Sequence, residues 1–355
     1  MPATIDDVAR LAGVSTATVS RALRGLPNVA PATRDRVARA ANLLDYVPDP
    51  AASALAAGRT NVIGVVVPTI GRWSHARILE VVSDIATTAG LDVLPVMLAS
   101  PAARDFFLTS HPFRRRVDGL VVAEVPLDVT DVARLAEGRP VATIGLELDD
   151  VDTVLADEQA GVAAATRHLL DLGHTDITFI GDTDSTATLV GPRRRREGFE
   201  SVLAAAGHPT SGDRVVETQP TATGGAAAMT LLLEQPRPPT AVITASDEMA
   251  LGAMEVARAR GLSIPGDLSV VGLDDQPIAQ YVGLTTVARD VTRMATVAAD
   301  WVVAAVAAME TPGEGVAAVP ARHRMVRTSL VVRRSTGPPA MVVDDRDGDS
   351  RGDLD

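Results

Sequence analysis

Neither cysteine nor lysine occurs among the 355 residues. The first absence excludes disulfides, thiolate catalysis and cysteine zinc sites. The second excludes a P-loop lysine, Schiff-base chemistry and a Ser-x-x-Lys nucleophile. The six histidines (His75, His111, His168, His174, His208 and His323) show no His-Glu-x-x-His spacing, and no Gly-x-Gly-x-x-Gly occurs. Aromatics make up 3% of the chain, which leaves few rings for stacking on a ligand. An enzyme would lack most of its usual parts, so no catalytic residue, metal or cofactor is expected. No apolar run reads as long and clean enough to cross a membrane, and Trp301–Met309 is far too short. No basic region followed by an apolar stretch opens the chain, so a cytoplasmic protein without membrane contact is expected.

What is present concentrates near the start. Thr4 is placed to cap a helix, with Asp7 as its capping-box partner. Ile5, Val8, Ala9 and Ala12 fall on one helical face. Gly13 can take the left-handed conformation that ends that helix. Ser15 then caps a second helix with Val19, Ala22 and Leu23 as its stripe. Two such helices around a glycine-containing turn form a helix-turn-helix, whose second helix enters the DNA major groove. A third helix follows from Pro31, with Val37, Ala40, Ala41 and Leu44 inward, and Tyr46-Val47-Pro48 stops it.

These residues resemble the DNA-binding headpiece of the LacI/GalR family of bacterial transcriptional regulators. The resemblance rests on Val8-Ala9, Ala12-Gly13-Val14-Ser15, Thr18-Val19-Ser20-Arg21, Thr33-Arg34 and Tyr46-Val47-Pro48, and it continues to about residue 335. It implies that Thr16, Ala17 and Arg21 meet base edges. Arg21 can bridge guanine O6 and N7, whereas Ala17 offers only a methyl, suited to thymine. Ser15, Thr18, Ser20 and Asn28 are candidates for phosphate contacts, which position without specifying. Residues 1–48 are thus a headpiece and 49–60 an alanine-rich hinge, too short to be a stable helix alone. In the family the hinge becomes helical on the operator and pushes a leucine into the minor groove, and Leu55 is the matching position. Asp49 departs from the asparagine usual after Tyr-x-Pro and sets a carboxylate near the phosphates.

Charge is divided unevenly. The chain carries −12 overall, but residues 1–60 hold seven Arg against five Asp, so the remainder carries −14. Such a body would repel phosphate and confine DNA contact to one end; ordinary solubility charge is the plainer reading.

From Asn61 onward, β-branched runs alternate with helical stretches. Val62–Val67, Leu91–Val96, Gly119–Val122, Val141–Ile144, Ile177–Ile180, Ala241–Thr244 and Leu268–Gly272 read as buried parallel strands. Helices are expected near 76–89, 129–137, 158–172, 192–206, 222–234 and 246–260. The alternation argues a doubly wound α/β fold, and the length of 61–335 argues two lobes with a ligand site between them. The resemblance gives the same answer, a two-lobed periplasmic-binding-protein-like core behind an all-α helix-turn-helix headpiece. It adds three crossings between lobes, placed near 158, 290 and 320. Residues 336–355, rich in Asp and opening on Pro338-Pro339, read as a disordered acidic tail.

Five residues of the core are candidate effector contacts. The resemblance selects Arg195 from the run Arg193–Arg196, whose members fan about 100° apart and cannot all face one ligand. Asp274 follows a buried strand at the edge where ligands sit, and can accept from two neighbouring sugar hydroxyls. Asp247 begins a helix, as a cap or as a contact. Trp73 follows the first core strand, either as a stacking ring or as lobe packing. Tyr281 is the next aromatic.

The expected function is regulation of transcription, as a repressor, by a homodimer on double-stranded DNA with a near-palindromic operator. No heptad segment follows Val331–Arg334, which favours a dimer over a tetramer. A small-molecule effector, a sugar or sugar derivative in the first place and a purine or other metabolite co-repressor in the second, would bias the lobes and the hinge. A solute-binding protein would explain the body but needs export. An α/β enzyme would explain the cleft but lacks a catalytic constellation.

Overall fold

The computed structural model describes residues 3–23, 25, 27–46, 59–110, 112–182, 189–209, 214–309 and 320–340. Contacts divide the chain into two units, Met1–Asn61 and Val62–Asp355.

The first unit holds α1 (Ile5–Ala12), α2 (Thr16–Leu23) and α3 (Pro31–Leu43). Thr4 and Asp7 form the reciprocal capping box, and Gly13 closes α1 at φ 66°. Only a residue without a Cβ takes that angle at no steric cost, so Gly13 sets the turn between the helices. The Ser15 hydroxyl accepts the Thr18 N–H at 3.2 Å and caps α2. Val8, Ala9, Ala12, Val19, Ala22, Val37, Ala40 and Ala41 make one small core, edged by Ile5, Leu23, Leu44 and Tyr46. Leu55 and the rest of 47–58 lie outside the described residues.

The second unit is built on two six-stranded sheets. In sequence order it comprises β1 (Val62–Val67), α4 (Trp73–Thr88), β2 (Asp92–Met97), α5 (Pro101–Ser110), β3 (Gly119–Ala123), α6 (Val129–Ala136), β4 (Val141–Ile144) and β5 (Asp152–Ala156). Next come α7 (Glu158–Asp171), β6 (Ile177–Asp182), α8 (Val190–Ala205), β7 (Val215–Thr218), α9 (Ala222–Leu233), β8 (Ala241–Thr244), α10 (Asp247–Ala259), β9 (Ser269–Asp274) and α11 (Pro277–Val282). Last are β10 (Thr285–Arg289), α12 (Val291–Ala308), β11 (His323–Val326) and β12 (Thr328–Val331). The first lobe has strand order β11-β5-β4-β3-β1-β2 and is wholly parallel. The second has order β12-β10-β9-β8-β6-β7, with only β12 antiparallel.

Each sheet is buried on both faces, as parallel strands require. In the first lobe Ile63, Val65 and Val121 face α4 and α12, while Val66, Leu120 and Val122 face α5 and α6. In the second, α9 and α10 pack so closely that a Cβ on Gly252 would come within 1.9 Å of the Ala222 carbonyl oxygen.

The chain passes between lobes at Asp157, Asp290 and Arg327. The third passage falls later than the expected position near 320, because β11 first pairs in parallel with β5. Residues 336–340 are also not tail. The Gly337 carbonyl accepts from His174 Nε2 at 2.8 Å, and the Gly337 N–H donates to the Ser269 hydroxyl at 3.1 Å. The Pro-Pro composition hid this docking onto the second lobe. Residues 341–355 lie outside the described residues. Helix α12, with 18 residues and a mean hydropathy of 1.4, is long and apolar enough to cross a membrane, contrary to the reading from sequence. It is instead a core helix of the first lobe, with Met294, Ala295, Ala298, Val302 and Val306 buried against the sheet.

Candidate functional site

On α2 the inward face is filled by Val19 and Ala22, and this turns the other face to water. Ala17 and Arg21 are exposed, and Thr16, Thr18 and Ser20 are half-buried. Arg21 has no ion-pair partner among the described residues, so its five donors are open to an incoming acceptor. The Ser15 and Thr18 hydroxyls lie 2.9 Å apart and are partly spent on each other. Asn28 is exposed at φ 70°, in the turn that leads to α3.

In the second unit, charged residues gather where the strands end. Glu124 follows β3, Asp182 ends β6, Asp274 ends β9 and Arg289 ends β10. Glu158 opens α7, His75 sits in the first turn of α4, and Arg195 projects from α8. Arg289, only 4% exposed, is the hub. It donates to Glu158 at 3.0 Å, to Asp274 at 3.0–3.1 Å and to Glu124 of the other lobe. Arg195 donates to Glu158 at 2.7 Å and to Asp182 at 3.2 Å. His75 lies 2.9 Å from Glu124 and 2.8 Å from the Thr69 carbonyl. Both ring nitrogens face oxygen acceptors, which fixes the ring between the two.

Burial raises the Glu124, Glu158 and Asp274 carboxyls, and the neighbouring cations oppose it. Arg289, then His75, outweigh burial at Glu124 and hold it well below the usual carboxylate range. Arg195, then Arg289, hold Glu158 down. In turn both guanidiniums are raised above their ordinary value against the opposing effect of burial, Arg195 chiefly by Glu158 and Arg289 chiefly by Glu124. At Asp274 burial prevails over Arg289 and the carboxyl is raised. Its backbone sits at φ 121° and that of Asp275 at φ 55°, conformations that cost about 1–3 kcal/mol each outside glycine. The side chains hold the turn in place: Asp274 through Arg289, and Asp275 through Arg333 at 2.6 Å.

This cluster, apart from Asp274, walls a cavity of about 270 Å³ between the lobes, lined also by Thr69, Arg72, Gly145, Leu189, Gln219 and Thr221. The lobes meet at its rim. Trp73 N–H donates to Glu248 at 3.1 Å, Arg194 to Glu147 at 2.7 Å, and Leu146 bridges Leu189.

Residues 4–49 match the profile described as bacterial regulatory proteins, lacI family, and residues 166–336 match the periplasmic binding protein-like domain. The HTH-type transcriptional regulator GalR of Salmonella typhimurium (strain SL1344) is 34% identical over 315 residues, spanning 87% of this chain and 91% of the relative. The chain belongs to the lacI family. Among solved structures, the Lac repressor dimer bound to operator and the anti-inducer ONPF superposes with a TM-score of 0.80 at 26% identity, covering 95% of this chain and 100% of that one. A complex of the transcriptional regulator CelR with cellobiose gives 0.68 at 29% identity, covering 94% and 99%. This lacI-family chain is a DNA-binding transcriptional regulator.

Not every residue expected in the lacI-family core meets the cleft. Arg195 lines the cavity. Trp73 and Asp274 line a separate hollow of about 770 Å³, and Arg289 lines both. Trp73 also packs on the first-lobe core. Asp247 lines neither. It is buried inside the second lobe, where it accepts from Thr286 at 2.5 Å and from the Gln276 N–H at 2.7 Å. It braces the turn after β9 and is no ligand contact in this arrangement, while Ser246 is the cap of α10. Tyr281 is 74% exposed on α11 and also lies outside both linings. Glu124, Asp182 and Arg289 were overlooked. Each is a charged residue at or just past the end of a buried strand, the same signal that picked Asp274.

Proposed function

We propose that this protein is a sequence-specific repressor whose grip on a near-palindromic operator is set by a sugar or sugar derivative bound between the lobes. The reading rests above all on the inter-lobe cavity. Its volume of about 270 Å³ lies just below the usual range for ligand sites, as a compact ligand requires. Its wall offers carboxylates, guanidiniums and amide oxygens to hydroxyls, and holds no Phe, Tyr or Trp among the described residues. Such a wall suits a compact polyol better than a planar purine. The bound cellobiose of the similar CelR supports the same class. On the DNA side, exposed Arg21 reads guanine, Thr16 and Ala17 contact neighbouring base edges, and Ser15, Thr18, Ser20 and Asn28 approach phosphates. Leu55 wedges the minor groove. Two copies related by two-fold symmetry set the palindrome. A ligand that prefers one lobe arrangement then shifts operator affinity by its difference in affinity between the two.

The test is fluorescence anisotropy of the full chain on duplexes selected from a random pool. Selected sites should be near-palindromic, and Arg21→Ala should weaken them by about 1–3 kcal/mol per half-site, so about 2–6 kcal/mol over the dimer, with lost discrimination at one base pair per half-site. Unchanged affinity and selectivity in that variant would refute the assignment.

A further inference from the structure

We propose that the effector of this cleft is a glycoside with an apolar aglycone, and that the aglycone lodges in a second chamber adjoining the charged cavity. The inference rests on the sugar-site reading above and adds what the sugar carries.

The second chamber has a volume of about 340 Å³. It shares Pro68, Glu124, Gln219 and Pro220 with the charged cavity, so the two meet along that wall. Leu98, Ala99 and Pro101 reach it from the end of β2 and the start of α5, and Val125 and Pro126 from the segment after β3. Gln219 and Pro220 belong to the second lobe, between β7 and α9, so this chamber also lies between the lobes. The charged cavity by itself falls short of the usual ligand-site volume of about 300–1,000 Å³, and the two chambers together fall well inside it.

The chambers differ in what they offer. In the second, most polar groups are already committed. Arg104 donates to the Pro126 carbonyl at 3.2 Å and to Asp105 at 3.4 Å. The Ser100 hydroxyl accepts the Ala103 N–H at 3.1 Å, and Glu124 is held by Arg289 and His75. What remains is the carbon of four prolines, Leu98, Ala99 and Val125. A hydroxyl entering there exchanges water for too few partners, whereas an apolar group gains with every unit of area it hides. The proline rings have no side-chain rotamers to lose, so this wall is set before a ligand arrives. Of the polar side chains lining this chamber, the Gln219 amide alone makes no hydrogen bond among the described residues. It stands in both linings, at the junction, where its N–H can donate to a glycosidic oxygen.

The test is titration calorimetry on the full chain with matched sets of ligands. Each set holds the methyl, hexyl and phenyl glycosides of one sugar, in both anomers, and a disaccharide with the same non-reducing unit; the sugars are glucose, galactose, mannose and xylose. In one set the phenyl or hexyl glycoside should bind at least roughly tenfold tighter than the methyl glycoside. The phenyl and hexyl arms tell whether the aglycone is a ring or a chain. Ala99 is exposed at the chamber wall, so Ala99→Trp fills the space without disturbing the core. It should erase the gain while the methyl glycoside binds, and the ligand-free protein melts, as in the wild type. Ser100→Trp, one residue on, should erase the gain as well. Equal binding of the methyl and the larger glycosides, or a gain that survives in both variants, overturns the inference and leaves the sugar site standing. A disaccharide that binds tighter than either apolar glycoside would make the second chamber a sugar subsite and overturn it too. If no member of any set binds, both readings fall.

Discussion

Arg21 on α2 and Arg289 on β10 carry the same guanidinium in opposite settings. Arg21 stands in water with its donors open. Arg289 is enclosed by Glu124, Glu158 and Asp274 and has no freedom left. A DNA duplex brings a dense field of acceptors, so the residue that meets it must stay unpaired until contact. A cleft for one small molecule has to exist before the molecule arrives, and paired charges fix its shape. Exposure is therefore informative in the headpiece, and in the core the informative quantity is which charges pair with which.

The sharpest way to break this contrast is Arg289→Met. It would leave three buried carboxylates facing one another without their shared cation, a change that costs about 3–5 kcal/mol in comparable cases. Denaturant unfolding of the body should register that loss, while the headpiece transition stays where it was. A loss under about 1 kcal/mol would mean that water, and not Arg289, satisfies those carboxylates.

A middling effect is expected from pH. Burial, then the neighbouring Asp274 charge, raises the Asp247 carboxyl to about 8. The unfolded chain gives up that proton near pH 4, so the folded state binds more protons across the interval between. The contribution is complete at acid pH and fades as pH rises toward 8. Glu124 and Glu158, both shifted downward, stay ionised over the same interval and do not mask it. The melting temperature of the body should fall from about pH 6 to about pH 8.5, and Asp247→Asn, neutral at every pH, should make that slope shallower, leaving the part that the raised Asp274 carboxyl contributes. An unaltered slope in the variant would remove Asp247 from the account.

The smallest effect belongs to the headpiece. Thr4→Ala removes the capping box of α1 and should cost about 1 kcal/mol. On a core of eight small apolar side chains that loss is visible, and calorimetry should place it in the headpiece transition alone.

The elements were legible to different degrees for physical reasons. β1, β4 and β8 fall at the ends expected, because a strand buried on both faces is a continuous β-branched run. The capping box and Gly13 fixed α1 to the residue. β7, β11 and β12, edge strands of half-exposed or polar residues, were missed because they lack such a run. β5 and β10 were missed too, their Thr, Asp and Arg hiding the apolar signal. In the site, the position after a buried strand pointed to Asp274, and the family resemblance pointed to Arg195. It could not reveal that Glu124 and Arg289, 165 residues apart, share a bond, since only the closing of the two lobes brings them together. Tyr281 misled because scarcity of aromatics says nothing about where a ring points.

Glu158 lies one residue beyond the passage at Asp157, and Arg289 one residue before the passage at Asp290. The charge cluster therefore sits beside the fulcrum of any swing between the lobes, while Glu147 and Arg194 meet out at the rim. A rotation displaces points in proportion to their distance from its axis, so the cluster can persist almost undisturbed while the rim gapes. In a chain with no native thiol, reporter dyes on cysteines introduced at the rim would be the only labelled sulfurs, placed where the swing is widest.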